Sequence, residues 1–89
     1  MNPGTNELSG DLGFAEIPAL LKRADALSQA ATLNLSGLKR VDSAGLSFLI
    51  ELQRRAQARK ATLRFGGAPK QLVDLARFFE VESFLGLSD

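Results

Sequence analysis

Asp42 and Ser43 are the pair in this 89-residue chain best placed to do chemistry, because they fall where a helix begins. Upstream, Thr32, Leu33 and Leu35 suit a strand, and Val41 leads out of the short loop after it. Downstream, Leu46, Leu49, Ile50 and Gln53 recur at helical spacing. The first N–H groups of a helix lack partners, and its dipole favours negative charge there. A side-chain oxygen at that point can cap the helix, which is worth about 1 kcal/mol. Alternatively, Ser43 takes a phosphate that switches a surface. The phosphate would gain backbone donors, bring about −1.5 to −2 charge, and be repelled by Asp42 beside it.

Other constellations carry less. Ser36 and Lys39 match S-x-x-K, in which a lysine activates a serine for acyl transfer, but the accompanying motifs are absent. A loop serine and a solvated lysine account for them. Asp42 and Ser43 do not complete a triad, because the chain has no histidine. It has no cysteine either, which excludes disulfides, thiol catalysis and thiolate metal sites. No metal or cofactor is expected, and no acid–base pair for an enzyme can be assembled. Gly66-Gly67-Ala68-Pro69-Lys70 is a glycine turn before a helix without P-loop spacing. Arg54, Arg55, Arg59 and Lys60 form a basic helix end, which suits the helix dipole better than it suits anionic lipid.

Size and composition fit one small soluble domain with a single core. The net charge of +1 gives no signature of nucleic-acid binding. No apolar run approaches the ~20 residues of a membrane span. The start, MNPGTNELSG, has neither a basic region nor an apolar one, so no signal peptide is read and a cytoplasmic protein is expected.

The elements that must position Asp42 and Ser43 follow from periodicity. Residues 1–6 are turn formers and read as a flexible end, with the domain covering 7–89. Residues 7–12 suggest a short strand broken at Gly10. A first helix spans about 16–28, with Pro18 in its first turn and Ile17, Leu20, Leu21, Ala24 and Leu27 on its apolar stripe. The central strand covers 32–35, and a second helix runs from about Ser43 to Arg59. Residues 61–65 form the next strand, and Pro69 opens a third helix with Leu72, Val73, Leu75, Ala76 and Phe79 on its buried face. Val81, Phe84, Leu85 and Leu87 make an apolar tail that closes over the core. The order β-α-β-α-β-α implies an α/β domain with crossover connections and a largely parallel sheet.

The second helix carries two further signals. Gly45 in its first turn costs roughly 0.5 to 1 kcal/mol against alanine, so something needs close approach there. A tight helix–strand contact explains it as well as a docking partner does. With Leu46, Leu49, Ile50 and Gln53 inward, Ala44, Ser47, Phe48, Glu51, Leu52 and Arg55 fall on the outward side. Phe48 and Leu52 are then apolar where water is expected, which marks a protein interface unless the third helix or the tail covers them.

LSGDL at 8–12, LNLSGLKRVDSAGLSFLIEL at 33–52 and APKQLVDLARFFEVESFL at 68–85 together resemble the STAS domain. That domain is shared by anti-sigma factor antagonists and the tails of anion transporters. The strand-loop-DSAGL-helix unit is the specific part, and the resemblance covers about residues 7–87. It is strongest to the small stand-alone members, cytoplasmic subunits of an ABC system moving phospholipids between the membranes of Gram-negative bacteria. The resemblance implies a small STAS-like fold with a mixed, largely parallel sheet and about three helices. STAS domains usually have a strand before the LSG element, where this chain has turn formers. The first strand is therefore missing or shortened, or the usual start lies upstream, and an open sheet edge invites a homodimer.

The resemblance also implies the function. It points to a non-catalytic subunit that binds and regulates or stabilises the ATPase of an ABC phospholipid-transport system maintaining outer-membrane lipid asymmetry. A membrane permease would share the complex, and this chain would sit at the inner membrane only through its partner, without inserting. Asp42, Ser43, Ala44, Ser47, Phe48, Glu51 and Arg55 would form the docking face. The second reading is an anti-sigma factor antagonist whose Ser43 is phosphorylated by a kinase that is also its partner.

Overall fold

The computed structural model describes residues 5–87. Three parallel strands, β1 (Thr5–Leu12), β2 (Thr32–Val41) and β3 (Arg64–Gly66), lie in the order β1-β2-β3. Around them run α1 (Ile17–Leu21), α2 (Ala24–Ser28), α3 (Ser43–Ala58), α4 (Lys70–Phe78) and α5 (Glu82–Leu85). The α/β class and the parallel sheet agree with the sequence reading. The described strands are all parallel rather than mixed, and the helices among the described residues number five rather than about three. Residues 1–4 lie outside the described range. Thr5 and Asn6, expected in a flexible end, already pair with Thr32 and Leu33.

The largest difference is β2. The sequence suggested a strand ending near Leu35 and then a loop, whereas the strand continues to Val41. Register explains the disguise. From Thr5 to Leu12 β1 advances 7 positions, while its partner advances 9, from Thr32 to Val41. Two extra residues are absorbed between Asn34 and Gly37 and between Leu38 and Arg40. Such bulges break the alternation of inward side chains. Leu33 and Leu35 are followed inward by Leu38 and Val41, a spacing of three that does not read as a strand.

β1 is not broken at Gly10. It passes through that residue at φ +76°, a conformation glycine adopts without strain. The expected first helix is two short ones. No helix breaker stands at Lys22 or Arg23, so tertiary contacts override the local pattern. Arg59 Nη2 donates to the Ser28 carbonyl at 2.9 Å, which ties the end of α2 to the end of α3.

Helix α3 is the hub of the molecule and touches β2 and all four other helices. Its buried side consists of Gly45, Leu46, Phe48, Leu49, Leu52, Gln53 and Ala56. At about 100° per residue this arc is centred near Ala56, between Gly45 and Leu49, well round from the Leu46–Ile50 side expected from sequence. Gly45 and Ala56, too small to stand out as apolar, hid the true centre. Phe48 and Leu52 are therefore not exposed. Leu52 is fully buried and Phe48 is 3% exposed, on a helix that packs against α1, α2, α4 and α5. Gln53 faces inward as expected, with Nε2 donating to the Leu63 carbonyl at 2.8 Å and Oε1 accepting from the Leu63 N–H at 3.0 Å. Leu85 and Leu87 close the core, and Leu72, Val73 and Ala76 bury α4. Phe79, expected on that buried face, is 50% exposed, and Phe84 of the tail is also exposed.

Candidate functional site

The β2–α3 junction is built around one carboxylate. Asp42 keeps an extended backbone (φ −105°, ψ −175°), and its Oδ1 accepts from the Gly45 N–H at 2.9 Å, capping α3. Its Oδ2 accepts from the Phe14 N–H at 3.0 Å, 28 residues away in the loop after β1. These backbone donors, Gly45 foremost and then Phe14, hold the Asp42 carboxyl below the usual carboxylate range. The same loop is closed on itself: the Gly13 N–H donates to Glu16 Oε1 and the Glu16 N–H to the Gly13 carbonyl, both at 2.9 Å.

Glycine is needed twice here. A Cβ on Gly45 would run into the Leu12 carbonyl oxygen and come within 2.8 Å of the Leu12 carbonyl carbon. The first turn of α3 therefore packs directly on the backbone of β1, which settles the Gly45 question in favour of a helix–strand contact. A Cβ on Gly13 would lie 2.7 Å from Asp42 Oδ2. Ser43, the first residue of α3, is exposed. Capping falls to Asp42, and Ser43 stands as an exposed residue at the helix start.

Beside this junction lies an open apolar groove of about 760 Å³ between α1 and α3. Phe48 and Ala44 of α3 line it with Ile17 and Pro18 of α1; Ser47 and Glu51 stand on the α3 side, Phe14 and Leu21 on the other. Phe14 is 80% exposed and Leu21 48%. Side chains of this size and polarity cost free energy when left in water, and a partner that covers them recovers it. Sequence reasoning missed Phe14, Pro18 and Leu21. Phe14 stands alone among turn residues, and Leu21 had been given to the buried stripe of a longer helix.

The structure brings Ser43, Ala44, Ser47 and Glu51 to one exposed or half-exposed stretch of α3, with Asp42 at its head. The other two adjoin this stretch and are less accessible. Phe48 contributes to the groove from a buried position. Arg55 serves α2: its Nη1 bonds Asp25 at 2.8 Å and its Nε bonds Glu51 at 2.9 Å. Those two carboxylates, Glu51 first, raise the Arg55 guanidinium above its ordinary value. Among the described residues no group of His, Cys, Asp or Glu is arranged to hold a metal ion.

A parallel α/β sheet, a central helix packed on it through Gly45, and an exposed Asp-Ser pair at the start of that helix define the class. The chain belongs to the STAS domain family, whose model described as "Mlab, STAS domain" matches residues 2–87. Among curated proteins it is similar to the "Intermembrane phospholipid transport system binding protein MlaB" of Haemophilus influenzae (strain ATCC 51907 / DSM 11121 / KW20 / Rd). The two are 34% identical over 89 residues, covering 92% of this chain and 79% of the relative. Among solved structures it resembles the anti-sigma factor antagonist SpoIIAA in its unphosphorylated form. That match has a TM-score of 0.62 and covers 91% of this chain and 77% of the other, at 17% identity, a likeness of fold.

Proposed function

We propose that this protein is the STAS subunit of an ABC phospholipid-transport system, which it serves by binding and bracing the ATPase. The identity to the Haemophilus influenzae binding protein over nearly the whole chain carries this reading. Hydrolysis and lipid handling belong to other subunits, and this chain is non-catalytic. It reaches the membrane through its partner; none of its described helices is long and apolar enough to cross one. The docking face is the exposed or half-exposed stretch Ser43, Ala44, Ser47 and Glu51, together with the groove rim at Phe14, Pro18 and Leu21. Apolar side chains of the ATPase would fill the groove, and the polar residues of α3 would fix their register.

Co-purification from the native host tests the reading, with an ABC ATPase and a permease as the expected companions. Ser47 is exposed on the groove side of α3, so Ser47→Arg is expected to abolish ATPase binding while the unfolding midpoint stays at the wild-type value. Binding that survives this change removes the α3 face from the proposal.

The second reading, an anti-sigma factor antagonist, draws on the exposure of Ser43 at the helix start. In that case a kinase tied to a sigma factor is the companion recovered, Ser43→Asp abolishes binding, and Ser43→Ala locks it on.

A further inference from the structure

A helix cap needs one oxygen, and serine or asparagine caps as well as aspartate does. Asp42 uses one oxygen for the Gly45 N–H and the other for the Phe14 N–H. The second bond does nothing for α3. It fixes a loop whose most prominent side chain, Phe14, is 80% exposed and so is held by its backbone rather than by packing. The surroundings are shaped to the same end. Gly13 leaves room for Oδ2, and the Asp42 N–H donates to the Leu12 carbonyl at 3.3 Å, locking the end of β1 to the end of β2.

We infer that Asp42 is the positioning residue of the docking face: its second oxygen holds Phe14 at the groove rim in the conformation the ATPase binds. The inference rests on the docking reading above and adds a division of labour within it. Asp42 acts through Phe14 and makes no contact of its own with the partner. A rim held in place is bound without first being ordered, whereas a released loop lowers affinity by the fraction of time it is misplaced.

Two substitutions release the loop by independent routes. Asp42→Ser keeps the cap and removes the second acceptor; Gly13→Ala keeps Asp42 and crowds its Oδ2. In both, the Phe14 amide resonance is expected to shift and its hydrogen-exchange protection to fall, while helix content stays at the wild-type level. Binding to the ABC ATPase recovered with the wild-type protein should weaken about tenfold if the loop is rightly placed roughly a tenth of the time. Phe14→Ala should weaken it comparably, and neither change should cost more once Phe14 is alanine. Loss of binding with Ser47→Arg but not with Asp42→Ser or Gly13→Ala overturns the positioning role and leaves the docking reading standing. So does an undiminished effect of Asp42→Ser in the Phe14→Ala background. Binding indifferent to Ser47→Arg and Phe14→Ala alike overturns both.

Discussion

At Asp42 a single side chain joins two segments that the sequence keeps 28 residues apart. The capping half of that arrangement is legible in the sequence, since an Asp-Ser pair stands before an apolar period. The tie to Phe14 is not, because its partner is a backbone N–H and carries no residue-type signal. The pH dependence follows from the lowered carboxyl. A carboxylate whose folded value lies below its unfolded one stabilises the fold fully above the unfolded value, near 3.8 here, and loses that stabilisation as pH falls through the folded value. Urea midpoints measured from about pH 5 down to about pH 2 should therefore fall more steeply for the wild type than for Asp42→Ser. Parallel curves would show that the carboxylate contributes nothing through its charge. Ser43 opens α3, as the residue pattern suggests, and is exposed there.

At the level of elements, α3 shows where periodicity misleads. Leu46, Leu49 and Ile50 form a fair apolar stripe, but the helix is covered on several sides and its buried arc is centred elsewhere. For a helix in that position, apolar residues on the apparent outer face signal a second layer of structure rather than an interface. Leu52 is completely buried, so Leu52→Ala is expected to lower unfolding free energy by about 2–5 kcal/mol in urea denaturation. A loss under about 1 kcal/mol would mean that the site collapses around the gap. Phe48→Asp, attractive as an interface test from sequence alone, would place an unpaired charge in this packing and is expected to unfold the chain. Strand β2 shows the converse. Its two bulges erase the alternation by which a strand is recognised, yet they carry Val41 and Asp42 to the point where α3 can start against β1.

For the whole molecule, the question from sequence was whether an open sheet edge would join two copies. β1 is an edge among the described residues, and it is poorly suited to that role. Gly10 bends its extended backbone at φ +76°, and exposed Glu7 and Asp11 place negative charge along it. Sedimentation at micromolar concentration is expected to give the 9.6 kDa monomer, and a species of twice that mass would revive the edge-paired dimer. The fold class was legible because alternating strands and helices leave few topologies; the groove was not, because it arises where two elements distant in sequence meet. The exposure of Phe14 has a practical side as well. The chain contains no tryptophan and no tyrosine, so it is nearly dark to ultraviolet fluorescence. Phe14→Trp would put a lone indole at the water-facing lip of the groove, where its emission would move to shorter wavelength as a partner excludes solvent. With the groove as the docking site proposed above, one substitution and no attached dye would make the protein an optical sensor of its own assembly.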